Sequence, residues 1–374
     1  MGLVANVGGQ ARKMTNQPAT KLDTRAQLPP MFARYQSRVE QGLIQAVAQR
    51  DTPPKEADSL YVSIKYHLGW VDQTGSPATD AITQGKALRP TLCLFACEAL
   101  SESVEQASSV AAALELIHNF SLIHDDIQDQ DRERRHQPTV WCVWGVPKAL
   151  VAGNALQSVG DLALLNTNNE GTSPEVTLKV SQLLTASYLE MIEGQCMDLA
   201  FESQVYITAA QYLNMIACKT GALFRSGLEI GASVATADAA DVDAFSRFGS
   251  NIGRAFQIRD DYLGIWGDTA TSGKAAGNDI RRRKKSFPVV FALEQANGAA
   301  LDDLTRIYQQ EELDDKDVDR VLDILDELGS KEQSEKIAEA SAEEAVESLK
   351  GVSLPDWARE EAEDLVDFLA HREY

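Results

Sequence analysis

The chain has 374 residues, 44% hydrophobic and 24% charged, which are ordinary globular values at a length ample for a sizeable core. Its net charge of −21 excludes a general nucleic-acid surface, because phosphate contacts need clustered Lys and Arg, and it makes any anionic ligand dependent on local cations or metal. Five cysteines without a CxxC pair (Cys93, Cys97, Cys142, Cys196, Cys218) read as free thiols of a reducing compartment, and no apolar run spans a bilayer or serves as a signal peptide, so a cytoplasmic protein is expected.

Residues 1–30 are polar and aperiodic, end in Pro29-Pro30, and read as a disordered leader; Gly2 is no acylation signal, because Asn6 stands where Ser or Thr is needed. An amphipathic helix follows over 31–50, with Phe32, Tyr35, Val39, Leu43 and Val47 on one face, and a second covers 56–68. Long helical patterns then run approximately over 87–100, 104–128, 147–165, 174–201, 209–233, 240–267 and 285–297. Acidic, Ala- and Leu-rich helices near 300–310, 316–328, 331–349 and 355–371 complete the chain, and their charges read as solvated faces. Pro-, Gly- and Asn-rich segments separate these helices, and neither a fixed-period repeat nor a composition shift divides them. The expectation is a single all-α domain over 31–374.

Chemistry concentrates in LIHNFSLIHDDIQDQDRERRHQPTV, residues 116–140. Leu116, Phe120, Ile123 and Ile127 are apolar at helical spacing, and Asp125, Asp126 and Asp129 crowd the end of that helix. Like charges so placed repel, so nearby cations or a divalent metal must offset them. An isolated DDxxD is more often a surface ion-pair face. A second pair, Asp260-Asp261, follows Phe256 and Gln257 on the 240–267 helix, and two such pairs facing each other would give the oxygen-rich, anion-sharing site that Mg²⁺ prefers. Cations are placed to match: Lys86 and Arg89 three apart in GKALRP, Arg134 and Arg135 after the first motif, Lys274 and Lys284 after the second. His118 lies two turns before Asp125 on the same face, whereas His124 points elsewhere and reads as structural.

GKALRP, HNFSLIHDDIQDQDRERRHQPTVW, KTGALF, and FQIRDDYLG with TSGKAAGNDIRRRKK occur in the order and spacing of the trans-isoprenyl diphosphate synthases, which the chain resembles over about residues 30–370. The resemblance implies a mostly antiparallel isoprenoid-synthase-type bundle around a central active-site cavity, a homodimer, and Mg²⁺ as three ions. By position it makes Asp125, Asp126 and Asp129 the first-motif metal ligands, and Asp260 and Asp261 the second-motif ligands. Lys86, Arg89, His118 and Arg135 resemble an isopentenyl diphosphate pocket. Arg134, Lys219, Lys274 and Lys284 resemble the clamp on an allylic diphosphate, with Thr220 and Gln257 lining the site. Three departures are visible: Gly264 stands where the second motif usually has a third Asp, His136 replaces a Gly after Arg-Arg, and Asn154 replaces the Asp of a common GDAL.

The implied reaction is loss of diphosphate from an allylic primer (dimethylallyl, geranyl or farnesyl), addition of the isopentenyl alkene and loss of a proton. A class I terpene cyclase would need an NDxxSxxxE-like second motif, and an HD-type phosphohydrolase further His ligands; an inactive partner subunit would have lost one Asp pair. Phe120 lies five residues before Asp125, about 7.5 Å along a helix axis, beside the small Ser121. A ring there suits a cavity floor and, by resemblance, a geranylgeranyl diphosphate product, with farnesyl diphosphate or a longer chain as the alternative.

Overall fold

The first aspartate motif ends a helix that the fold buries on nearly every face. This helix, α4 (Ser108–Gln128), follows a 3₁₀ turn at Glu105–Ala107. Its residues Val110–Ala113, Leu114, Leu116, Ile117, Phe120 and Ile123 are all at most 4% exposed. A helix apolar all round is stable only inside a protein. Here α1 (Pro30–Ala48), α3 (Leu88–Ser101), α6 (Val146–Leu165) and α9 (Ala222–Ala235) surround it. The computed structural model describes residues 28–48, 57–78, 85–167, 171–267 and 277–372, so the leader to residue 27 and Lys274 lie outside it.

Between these elements come α2 (Asp58–His67), a two-stranded hairpin (Glu133–Arg134 with Gln137–Pro138) and α5 (Val140–Trp144). The long helices α7 (Pro174–Glu202) and α10 (Ala239–Trp266) both pack on α9. Each is capped by sequence-local oxygen: Ser173 accepts from the Val176 N–H at 3.3 Å, and Asp238 from the Ala240 N–H at 2.8 Å. The short α8 (Ala209–Ile216) starts on a Thr208–Gln211 capping box. After α10 come α11 (Asn278–Arg281), α12 (Phe287–Gln295), α13 (Gly298–Tyr308) and α14 (Asp315–Glu327). α15 (Ser330–Ser348) lies along α10, and α16 (Asp356–His371) returns to α1, where Glu361 pairs with Arg34.

The structure is 79% helical and 2% strand, so the all-α expectation holds. Among the described residues no helix is long and apolar enough to cross a membrane, and all five cysteines are free thiols. Two local features differ from the sequence reading. The helix expected over 209–233 is interrupted at Ala217–Gly221 by a π turn. The hairpin turns through Arg135 (φ 52°) and His136 (φ 63°), both left-handed, which explains why a glycine would be at home at 136.

Candidate active site

The C-terminal end of α4 opens into a cavity of about 520 Å³, well within the range of small-molecule sites. Asp125 enters it from α4, Gln257 and Asp260 from α10, Asp198 from α7, Lys219 and Thr220 from the π turn, Arg89 from the start of α3, and Lys284 from the segment before α12. The π turn adds one residue to the helical spacing and so re-aims Lys219. Gly194 of α7 makes room for it, since a Cβ there would lie 2.3 Å from the Lys219 backbone nitrogen. Lys219 Nζ then reaches Asp198 Oδ2 at 2.5 Å. The Thr220 hydroxyl donates to Gln257 Oε1 at 2.7 Å, tying the π turn to α10.

Charge in the cavity is balanced between unlike groups. Burial pushes Asp125 up to about 6, with Lys219 opposing the shift and Asp129 adding to it. Asp129 is exposed and does not line the cavity, but partial desolvation raises it too, with Lys219 opposing the shift. Lys219 is also raised, but here that favours the charged form: burial disfavours its ammonium, and Asp198, Asp125 and Asp129 outweigh burial. Arg89 is lowered to about 10 by burial, Glu115 partly compensating, and so remains a cation at neutral pH. It stacks 4.9 Å over the Phe224 ring and meets His118 Nε2 at 3.1 Å. Burial, then Arg89 and Arg135, keep His118 neutral; as Arg89 is always a donor, Nε2 accepts and the ring proton is assigned to Nδ1.

Several expected residues converge on the cavity: Asp125, Asp260, Arg89, His118, Lys219, Thr220, Gln257, Lys284, Phe120 and Ser121 all line it. Asp126 does not. It is 1% exposed and faces a small neighbouring pocket, where Arg134 donates to its Oδ1 at 2.7 Å. Arg134 is therefore engaged behind the motif, together with Arg135, whose guanidinium lies where a Cβ on Gly85 would be, 2.5 Å from one of its nitrogens. Asp261 is turned inward as well. Tyr212 and the Phe287 N–H (3.0 Å) donate to one of its oxygens, Gln257 (3.2 Å) and Lys284 (3.5 Å) to the other. With its lone pairs so committed, Asp261 organises the second motif, and the cavity-facing carboxylate there is Asp260. Lys86 is exposed and does not line the cavity; partial desolvation lowers it, with Arg372 adding to the shift and Asp260 opposing it.

The structure adds residues the sequence reading passed over. Asp198 stands alone in GQCMD, four residues after Gly194, and only the fold brings it to Lys219. Arg372, just past α16, lies 4.1 Å over the Phe256 ring and reaches Asp260 Oδ1 at 3.1 Å. His124, expected to be structural, lines the cavity beside Phe120, with ring centroids 5.6 Å apart, and Asn154 lies there too.

The chain is similar to known proteins over most of its length. The family model described as Polyprenyl synthetase matches residues 72–325. A geranylgeranyl diphosphate synthase of Mycobacterium tuberculosis is 39% identical over 293 residues, 78% of this chain and 82% of that protein. A (2E,6E)-farnesyl diphosphate synthase of Mycobacterium bovis is 34% identical over 313 residues, 83% of this chain and 85% of that one. Among solved structures, the geranylgeranyl pyrophosphate synthetase of Pyrococcus horikoshii superposes with a TM-score of 0.82 at 32% identity, covering 92% of this chain and 98% of its own.

Proposed function

Because the chain belongs to the polyprenyl synthetase family, and is a short-chain trans-prenyl diphosphate synthase, we propose that it adds isopentenyl diphosphate to a dimethylallyl, geranyl or farnesyl diphosphate primer, with geranylgeranyl diphosphate as its main product. The observation that carries this reading is the cavity itself, lined by Asp125 of α4 and Asp260 of α10 together with the cations Lys219, Lys284 and Arg89.

The donor set fits Mg²⁺. Burial-raised carboxylates gain most from a hard cation, and the oxygens available are those it prefers. Among the described residues no three His, Cys, Asp or Glu side chains cluster tightly enough to hold an ion alone. Asp125 and Asp129 on one side and Asp260 on the other would therefore hold ions shared with diphosphate oxygens, three in the full complex. When bound, Mg²⁺ draws charge from the departing diphosphate.

The chain's own groups do the rest. Lys219 and Lys284 hold the allylic diphosphate and take up the charge that develops on it. Lys86, Arg89 and His118 hold isopentenyl diphosphate so that its alkene faces the allylic carbon, and Arg135, beside Gly85 and behind the motif, adds its positive charge. Phe120, Met191 and Phe256 in the cavity wall keep water from the allylic cation. The proton then leaves toward the released diphosphate. Phe120 lines the cavity with its ring edge-on to His124 and Tyr188, and as a cavity floor it would favour the twenty-carbon product over farnesyl diphosphate. The free thiols support the expected cytoplasmic setting, and we assign the apolar outer face of α6 and α7 to a homodimer.

Incubation with radiolabelled isopentenyl diphosphate, each primer and Mg²⁺, followed by chromatography, tests this function. A twenty-carbon product is expected, lost with chelator and reduced by orders of magnitude in Asp125→Ala and Asp260→Ala. Near-wild-type turnover in either variant would remove that carboxylate from the site.

A further inference from the structure

The second aspartate motif of this chain ends on Gly264, and the fold shows what occupies the space a side chain there would take. An ideal Cβ at 264 would lie 2.2 Å from Oδ2 and 2.5 Å from Cγ of Asp279. Real Cβ atoms do not approach other atoms so closely, so any side chain at 264 would have to displace the Asp279 carboxylate. The volume into which an aspartate at 264 would project is already filled by a carboxylate arriving from α11.

That carboxylate is firmly placed. Gly277, left-handed at φ 72°, donates its N–H to the Ile265 carbonyl at 3.0 Å, pinning the start of α11 to the end of α10. The Lys284 N–H donates to the Asp279 carbonyl at 2.9 Å, closing the segment on itself. Asp279 is 9% exposed. Its Oδ2 lies 3.5 Å from Lys284 Nζ, and Asp261 Oδ1 stands at the same 3.5 Å from that nitrogen. Lys284 in turn lines the cavity. Burial disfavours its ammonium, but Asp261, Asp279, Asp260 and Asp198 together outweigh burial and keep it charged.

The two carboxylates are not equivalent. Asp261 already accepts from Tyr212, Gln257 and the Phe287 N–H, so its charge is largely dispersed before Lys284 reaches it. Asp261 acts most strongly on the ammonium and Asp279 next, but Asp279 has fewer other donors, so Lys284 is its main partner.

We propose that Asp279 supplies the carboxylate that the second motif lacks at Gly264, and that with Asp261 it forms a two-pronged seat that positions Lys284 for the allylic diphosphate. Asp279 is thus a positioning residue, and the inference rests on the prenyl-transfer reading above.

The test is calorimetric titration of the full chain with inorganic pyrophosphate in the presence of Mg²⁺, alongside steady-state kinetics. Failure of the wild-type protein to bind Mg²⁺–pyrophosphate would count against the prenyl-transfer reading itself, and would be distinguishable from failure of this inference. Given wild-type binding, Asp279→Asn, which keeps shape and loses charge, should weaken it about tenfold. It should also raise KM for the allylic substrate while leaving KM for isopentenyl diphosphate nearly unchanged, with the unliganded melting temperature preserved. Asp279→Ala should bind weakly as well, and Gly264→Asp/Asp279→Ala, which returns a carboxylate to the same space from α10, should recover the affinity. Wild-type affinity in Asp279→Asn, or equal rises in both KM values, would overturn the proposal. If Asp279→Asn melts early, the double variant decides: affinity no better than that of Asp279→Ala overturns the proposal, and recovery upholds it.

Discussion

Burial lifts both Asp125 and Asp126 to about 6, and the direction of that shift fixes how the site should respond to pH. In the metal-free protein these carboxyls bind protons more tightly folded than unfolded. Their contribution to stability is present below the unfolded value near 3.8 and is lost as pH rises through about 6. Cation binding runs the other way, because Mg²⁺ requires the carboxylate. The melting temperature of metal-free protein should therefore fall between about pH 4 and 6, and the stabilisation by Mg²⁺ with pyrophosphate should grow over the same interval. Calorimetry near pH 6 in buffers of different ionisation enthalpy should register proton release on Mg²⁺–pyrophosphate binding. The same heat in every buffer would show that no buried carboxyl is being ionised. Arg89 makes a second residue-scale case. Its guanidinium is oriented by the Phe224 ring and by neutral His118, so it is preorganised for one anion. Arg89→Ala should raise KM for isopentenyl diphosphate about ten- to a hundredfold, the worth of a charge-assisted hydrogen bond, and alter KM for the allylic substrate far less. Equal increases for both substrates would mean the two diphosphates do not divide between separate pockets. GKALRP shows in sequence that Lys86 and Arg89 share a helix start; that His118 would face Arg89 across two helices does not follow from spacing.

At the scale of elements, periodicity shows α4 and α10 and the aspartate pairs each carries, because a buried helix must repeat its apolar residues regularly. It does not show which member of each pair faces the cavity. Asp125 and Asp126 are adjacent in sequence and about 100° apart on the helix, and only the position of the hairpin at 133–138 assigns Asp126 to Arg134. The π turn at Ala217–Gly221 is invisible for a related reason: one extra residue hardly disturbs the apolar pattern, yet it turns Lys219 toward Asp198. Asp198 has no second acid beside it to attract notice. Phe120 was legible as a large ring five residues before the motif, and the fold adds what lies beyond it. Its ring meets His124 and Tyr188 edge-on, at 5.6 and 6.4 Å. One turn further into the bundle, α6 is pressed against α4 so closely that a Cβ on Gly160 would lie 3.2 Å from Ile117 Cδ1. Replacing Phe120 by Ala should therefore lengthen the product by one or at most two five-carbon units, after which the α4–α6 contact stops growth. An unchanged product distribution with activity retained would show that another group sets the length.

At the scale of the molecule, one feature of α6 and α7 has no counterpart elsewhere on the described surface. Val151, Leu162 and Leu165 on α6 are 53, 57 and 56% exposed, and Leu178, Leu189 and Ile192 on α7 are 61, 53 and 43% exposed. Both sets follow the spacing i, i+11, i+14, which returns to the same side of a helix within a few tens of degrees. Two neighbouring helices thus each present an apolar stripe to solvent, a pattern that normally marks an interface. In sequence such a stripe is indistinguishable from one facing the protein's own core, so the helices could be read but not this surface. A second copy is the occupant that fits, because an isologous contact places stripe against stripe. The copies also repel, since each carries a net charge of −21, and added salt should screen that repulsion. Burying one leucine contributes about 1.5–3 kcal/mol, and two-fold symmetry counts each substitution twice, so Leu162→Asp should cost the dimer roughly 3–6 kcal/mol before the penalty of burying a charge. In sedimentation velocity the wild-type protein should run as a dimer that tightens with salt, and Leu162→Asp as a folded monomer with its helical signal intact. A wild-type monomer at high concentration, or a Leu162→Asp dimer of undiminished affinity, would show that this face is not where two copies meet.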